Sequence, residues 1–371
     1  MGHLNQLFKV LVSSLFIGIL IFCSNSSLFA QKTSEGTDFW FGFMDNSWRE
    51  PTYYVMVSSK TEANCEISLP AYGWFVNFSV SANSSTQIEV PYDFATIGGY
   101  RVVLDKGVHL TSDVPVNCYI LNYESFSSDG TIVLPVESLG NNYIVNDYIP
   151  IGQAEFLVVA NEDNTQITIN PSAQLMGGEP AGSDIYVTLN RGQLYQVKSE
   201  YSLTGTLVRS SNNKNFSVFA GDQCAFVPPS AYACNHLVEQ LFPTDQWGNS
   251  FVTAPIATKI GGDMYRFVTK DDNTEISING VAMANLNARQ HIDTIIQGPA
   301  KITSTKPISV ALFCTGNYYD SIPSDPFMVI IHPVRQRRKD LTFYALRNET
   351  INSTYVNVVA YTESVSRLQL N

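Results

Sequence analysis

Residues 156–170 read FLVVANEDNTQITIN, and the stretch returns nearly intact at residues 265–279 as YRFVTKDDNTEISIN. Both copies predict a β-strand, a tight polar turn at Asp-Asn-Thr, and a second strand in which Ile alternates with polar residues. A period of two places Ile167 and Ile169, and likewise Ile276 and Ile278, on one face of a half-buried strand. Asp and Asn suit the turn because their side chains bond nearby backbone and tolerate left-handed geometry. Asn164 and Asn273 lie 109 residues apart, so the duplicated object is far larger than a hairpin.

A weaker copy surrounds Asn64, 100 residues before Asn164. Other marks recur with it. Pro135 precedes Tyr143 by eight residues, Pro243 precedes Phe251 by eight, and Pro333 precedes Leu341 by eight. These marks divide the chain into repeats at residues 31–130, 131–235 and 236–326, with an incomplete repeat at 327–371. In the last, residues 356–360 and 365–370 resemble the hairpin, and within the first a strand is expected at residues 100–104. Each full repeat has roughly 90–110 residues and about eight short strands, which suits a β-sandwich of two packed sheets. The expectation is therefore all-β, as tandem sandwich-like repeats. A β-propeller with two four-stranded blades per repeat is the alternative. A half-built repeat would expose sheet edges, so we expect the natural product to be longer.

Composition agrees with this reading. Only 15% of residues are charged and 12% are aromatic, and no segment after residue 30 sustains a capped apolar helical stripe. Strands and polar turns follow from such usage, and 371 residues exceed one ordinary core. Residues 1–30 stand apart. Lys9, an apolar run over 10–22 and the ending Ser-Leu-Phe-Ala30 have the layout of a secretory signal peptide cleaved after Ala30. The apolar run is short for a membrane span, and bulky Phe22 argues against Cys23 as a lipid-attachment site. The mature chain is thus expected to be secreted, extracellular or at the cell surface, with no transmembrane span.

The net charge of −11 makes the chain a poor nucleic-acid binder. Its single basic run, residues 335–339, reads as a solvated loop. Cys224 and Cys234 bracket a short Pro-rich loop and form the natural disulfide in an oxidising compartment, where closing so small a loop contributes about 2–3 kcal/mol. Zinc is the alternative reading of that pair, but no second Cys or His pair stands at metal-ligand spacing. Cys65, Cys118 and Cys314 read as core residues, with Cys118 aligned to Val218 and Val310 of the later repeats.

Several motifs in fixed order carry a resemblance. They are GTDFWFGF (36–43), VPVNCYILNYESFSSDG (114–130), LPVESLG (134–140), NEDNT (161–165), GDQCA (221–225), HLVEQL (236–241) and DPFMV (325–329). Together they resemble the IgGFc-binding protein N-terminal domain family, over a span from about residue 36 to the end. The resemblance implies an extracellular, non-enzymatic adhesion or binding role and supports the pairing of Cys224 with Cys234. It does not transfer Fc binding, for which no feature of this sequence speaks.

No Gly-x-Ser-x-Gly elbow, His-Glu-x-x-His helix or phosphate-binding Gly loop is present, and the histidines are scattered. The acidic turns at Glu162-Asp163 and Asp271-Asp272 lack the dense oxygen spacing of a calcium loop and read as hairpin turns. No metal or cofactor is expected. Candidate binding residues lie in two long loops at the same end of successive repeats: Tyr123, Glu124, Ser125 and Asp129 in one, Asp222, Gln223 and Tyr232 in the other. Loops on a rigid sandwich commonly carry recognition, and Tyr is an efficient contact residue. The expected partner is an extracellular protein or glycan at a cell or matrix surface. A structural spacer of a larger surface protein is the alternative. A carbohydrate-active enzyme stands third, since two distant carboxylates would leave no local motif.

Overall fold

The computed structural model describes residues 32–47, 50–338, 342–343, 354–367 and 369. The signal-peptide expectation falls outside them. The first strands are β1 (Glu35–Phe41), β2 (Thr52–Ser59), β3 (Ala63–Leu69), β4 (Trp74–Val80), β5 (Ser84–Val90), β6 (Val103–Leu104), β7 (Val108–Tyr123) and β8 (Asp129–Val133). β7 is long because it serves two layers. Its first half pairs with β1 and β3, and its second half with β2 and β8. The result is a sandwich of β4-β3-β7-β1 on β5-β2-β7-β8. A strand common to both layers is incompatible with separate propeller blades.

The pattern repeats. β9 (Asn142–Ile144), β10 (Ala154–Ala160), β11 (Thr165–Asn170), β12 (Ile185–Leu189), β13 (Leu194–Ser199), β14 (Leu207–Ser210), β15 (Phe216–Ala225) and β16 (Asn235–Gln240) follow. They build β12-β11-β14-β9 and β16-β15-β10-β13-β6. Here the shared strand is broken into β14 and β15. Only Val103–Leu104 of the strand expected at 100–104 forms, and it pairs with β13 of the second sandwich rather than within the first. The third set is β17 (Gly248–Thr253), β18 (Asp263–Thr269), β19 (Thr274–Ile278), β20 (Val281–Leu286), β21 (His291–Ile296), β22 (Ala300–Phe313) and β23 (Met328–Ile330). β22 is the long common strand, flanked by β19 and β17, then by β18 and β23.

The duplicated strand–turn–strand units are β10–β11 and β18–β19, but they are not the expected hairpins: β10 pairs with β13 and β15 while β11 pairs with β12 and β14. β18 and β19 likewise do not pair with each other but with opposite halves of β22 and with β21 and β20, so each turn carries the chain from one layer to the other and brings both apolar faces into one core. Asn164 and Asn273 both adopt positive φ, 53° and 52°. Their turns share one bonding scheme. Thr165 Oγ1 donates to Glu162 O at 2.8 Å and Thr274 Oγ1 to Asp271 O at 2.7 Å. Asp163 accepts the Arg191 N–H and Asp272 the Ala288 N–H. The acidic side chains therefore close turns, as Asp commonly does by bonding nearby backbone. Ile167, Ile169 and Ile276 are buried and Ile278 is half-buried.

β10 is buried along its whole length. Phe156, Val158 and Ala160 enter the second sandwich's core, while Leu157 and Val159 enter the first's. Tyr265 and Phe267 of β18 similarly fill the third core, while Met264 and Val268 join the second. A strand covered on both faces needs a continuous apolar run rather than alternation. The sandwiches are thus welded face to strand end, not strung like beads.

Each sandwich also closes on itself through one contact. Gly36, Gly140 and Gly248 lie so close to Pro135, Pro243 and Pro333 that any β-carbon would overlap the ring. Each proline opens a turn, with Ser138, Gln246 and Gln336 N–H groups bonded to Pro135, Pro243 and Pro333 carbonyls. Arg335, from the basic run, donates to Trp247 O at 2.6 Å, so it fastens a linker. The hairpin expected near the C-terminus does not form. Residues 354–361 carry no ladder and Thr362–Arg367 is a 3-10 helix. Among the described residues, no neighbouring strand offers these residues the partners a hairpin's outer edges require.

Candidate functional site at the loop end

Following β7, β15 and β22, three loops leave the sandwiches at equivalent places, and the three edge strands β8, β16 and β23 then come together. Their free backbone edges are satisfied by side chains. The N–H groups of His236, Val238 and Gln240 donate to Ser127 Oγ, Asp129 Oδ2 and Thr131 Oγ1, at 2.9 to 3.0 Å. Met328 and Ile330 of β23 donate to Asp129 Oδ2 and Glu239 Oε1. Every second N–H of an edge strand points outward, and an unpaired buried donor is costly. Ser127, just before β8, with Asp129 and Thr131 within it supply the acceptors at alternate positions, and Glu239 of β16 supplies one to β23.

This assembly divides the candidate residues. Asp129 is buried beneath the loop, and burial pushes its carboxyl up to about 8 despite three backbone donors. Asp222 is fully buried and accepts the Tyr148 N–H at 2.9 Å; burial also pushes its carboxyl well above the usual range, with Asp147 adding to the rise. His236 Nδ1 lies 3.0 Å from Asp222 O, and desolvation lowers its imidazole to about 4. The other candidates face outward. Tyr123 and Glu124 are half-buried, Ser125 is exposed, and the Glu124 backbone is tied by Ser128 Oγ. Gln223 is half-buried, and Tyr232 is 71% exposed.

The two candidate loops meet at their bases, where Ser128 N donates to Asn235 Oδ1 and Asn235 Nδ2 donates to Ser128 O, both at 2.8 Å. Cys224 and Cys234 are bonded, with Cα atoms 5.2 Å apart, and brace the second loop. Cys65, Cys118 and Cys314 are buried free thiols. The third loop, which the sequence reading passed over, joins the second through Gly316 N–H and Val227 O. Tyr318 stands edge-on to Tyr232 at 6.1 Å, and Phe226 packs on Tyr232 at 5.3 Å. Phe126 is 81% exposed and Tyr318 66%. Their equivalent positions after β7 and β22 were a usable signal.

Beside these loops lies a cleft of about 810 Å³, which sequence reasoning also missed. Asp45, Asn46, Ser47, Glu50, Tyr53, Tyr92 and Thr96 line it. Asn46 Nδ2 donates to Ser127 O at 2.7 Å, tying the wall to the first candidate loop. Ser47 comes against Gly152, which also touches Gln223 of the second. Tyr53 stacks between Phe43 and Tyr92, and its burial raises the phenol far above its usual range. Asp45 anchors the floor through Lys198 Nζ at 2.5 Å and Gln196 Nε2 at 3.0 Å, both from the second sandwich. A cleft on such a seam, with few polar groups held by a rigid frame, is a usual place for a ligand. Among the described residues no group of His, Cys, Asp and Glu is placed to hold a metal ion, and no helix is long and apolar enough to cross a membrane.

Comparison with known proteins agrees with the motif order. In human IgGFc-binding protein, 332 residues align at 25% identity, covering 85% of this chain but 6% of that protein. The chain therefore spans a small part of its relative. Among solved structures, one described as structural insight into host cell surface retention of a 1.5-MDa bacterial ice-binding adhesin aligns with a TM-score of 0.12 and 9% identity, over 78% of this chain and 87% of the other. Streptomyces avermitilis α-L-rhamnosidase gives 0.17 and 8%, over 75% and 43%. Scores this low carry no argument about either fold or activity. The profile of the family described as IgGFc binding protein matches residues 129–371, and the chain belongs to that family.

Proposed function

We propose that this chain is a secreted adhesion module that recognises a protein partner at a cell or matrix surface through its loop end. The observation that carries the reading is the seam cleft with its flanking aromatics, Tyr92 within it and Phe126, Tyr232 and Tyr318 exposed on the adjoining loops. Exposed rings at the ends of a rigid frame supply contact area at little entropic cost, and aromatic residues are enriched at protein interfaces. Glu124 and Gln223 add polar contacts beside them. Asp129 and Asp222 serve the recognition loops from below, as supports.

The relative's name makes immobilised immunoglobulin Fc the first probe, followed by a panel of extracellular matrix proteins. Retention of the full chain on one of these, with loss of at least tenfold in affinity for Tyr92→Ala or Tyr232→Ala and unchanged melting, is the expected result. If no probe is retained, or the variants bind as well as the parent, the welded block is a spacer and the adhesion reading fails. N-terminal sequencing of exported protein is expected to begin at residue 31.

A further inference from the structure

The outer face of the β4-β3-β7-β1 layer carries a second concavity, of about 350 Å³, far from any catalytic pattern in the sequence. Asn64, Glu66, Asn77, Ser79, Thr111 and Asp113 line it. Strand register explains the grouping. Asn64 stands opposite Ser79, and Glu66 stands between Asn77 and Thr111. One rung along, Ser68 stands between Phe75 and His109. Alternation puts Phe75 on the same face as Asn77 and Ser79, and its ring is 61% exposed.

The second sandwich has the matching feature. Its edge strand β12 exposes Tyr186 to 74%, with Thr168 opposite it and Arg209 beyond. Thr168 follows Ile167 as Ser68 follows Ile67, so Phe75 and Tyr186 occupy the same rung of two repeats. An exposed ring on an edge strand invites association, and such edges are ordinarily blunted with charge. Two exposed rings at one repeated position, one beside a polar concavity, suggest a ligand with an apolar face and many hydroxyls.

We propose that this face of the first sandwich binds a neutral oligosaccharide. A pyranose ring presents a C–H face that packs on Phe75, and hydroxyls that need both donors and acceptors. Asn77 offers both, as does the Thr111 hydroxyl, while Glu66 accepts, and so does Ser79 Oγ, whose own hydrogen is given to Asn64 Oδ1 at 3.2 Å. Asp113 is already fixed by Asn64, whose N and Nδ2 donate to it at 2.8 and 2.9 Å, so little ordering is left for binding. No Lys or Arg lines the concavity and two carboxylates do. Sulfated or sialylated chains are therefore repelled. The site shares no residue with the loop-end cleft.

The test is an array of neutral hexose and N-acetylhexosamine oligosaccharides, together with the same cores sialylated or sulfated, probed with the full chain. Retention on neutral members, loss on their anionic versions, and a roughly tenfold weakening for Phe75→Ala are expected. Glu66→Ala should weaken binding several-fold by removing the acceptor. Both side chains are exposed, and an unchanged melting temperature confirms that the variants fold. Tyr92→Ala should leave glycan binding untouched, which separates failure here from failure at the loop end. Absence of any neutral glycan on the chain, retention confined to anionic glycans, or full binding by Phe75→Ala would overturn the proposal.

Discussion

The seam between the first and second sandwiches and that between the second and third are built at equivalent places from different chemistry. At the first, Lys198 reaches Asp45 at 2.5 Å with fully buried Glu155 at 3.7 Å, and neither Glu155 oxygen has a hydrogen-bond partner. Burial raises the Glu155 carboxyl well above its usual range, an effect that Lys198 only partly offsets. At the second, Arg266 forks onto Asp293 through Nε and Nη2, both at 2.7 Å. Its Nη1 donates to Asp147 O and Thr204 Oγ1, and the guanidinium lies 5.1 Å from the Tyr148 ring. Asp147 in turn accepts from Ser202, Leu203 and Thr204. A planar fork can satisfy several acceptors at fixed angles, whereas an ammonium is a point charge. At the second seam the guanidinium and Asp147 are well supplied with hydrogen bonds; the first keeps a carboxyl that is easier to protonate than to pair.

That difference can be broken from either side. Arg266→Ala should be the most damaging change. It strands Asp147 and Asp293, and removing one partner of a buried pair costs about 3–5 kcal/mol, read as a lowered denaturation midpoint. Arg266→Lys is expected to recover less than half of that, because the fork is lost. Lys198→Ala should cost less, about 1–3 kcal/mol, since Glu155 can hold its proton and only Asp45 loses a charged donor. If Lys198→Ala proves as damaging as Arg266→Ala, the contrast between the seams is wrong. Glu155→Gln should change stability by less than about 1 kcal/mol, because the amide keeps the carboxyl's shape while removing a charge that burial already opposes.

The strand junction below the loops should give a pH signature. Asp129 and Glu239 are both raised to about 8, chiefly by burial, from ordinary values of 3.8 and 4.5. Folded carboxyls raised in this way bind protons that the unfolded chain has released. Their stabilisation is full below about pH 4 and is lost as pH rises through about 8. His236 runs the other way, lowered to about 4, so its contribution is full above 6.5 and lost as pH falls through 4. Stability should therefore rise as pH falls from 8.5 to 6.5 and go on rising more gently towards about pH 4.5, where His236 opposes as one group against two. Glu239→Gln should reduce the alkaline slope; an unchanged slope in thermal melts would count against the junction as its source.

A comparably small effect belongs to the repeated turns, which do not differ. Asn164→Ala and Asn273→Ala should each cost about 1 kcal/mol for placing a β-carbon at positive φ, and the Gly variants less. Equal values in the two turns would show that these copies are framework, in contrast to the seams.

How much of this was legible follows from how far apart the partners lie. The strands and their turn were readable because Asn164 and Ile167 report a turn and a face within a few residues. That the two strands enter opposite sheets rather than pairing as a hairpin depends on distant partners. The disulfide was readable because Cys224 and Cys234 are near neighbours in an oxidising context. Among the candidate loop residues, Tyr232 and Asp222 look equally polar in sequence and only one reaches solvent. Nothing local to Asp129 announces that Val238 and Met328 will donate to it. The cleft was invisible because Asp45 and Tyr92 join it across a fold, and Lys198 that anchors it is 153 residues from Asp45.

The sequence by itself determined the all-β class, the repeat, the turn geometry and the family, because alternation, left-handed turn residues and motif order are short-range properties of the chain. Tertiary structure alone decided that the sandwiches share faces, that the polar residues of β8 close foreign strand edges, and that two concavities open on separate surfaces. Those outcomes depend on which strands are covered on both faces. That coverage is set when Leu157, Val159 and Arg266 find partners in the preceding sandwich.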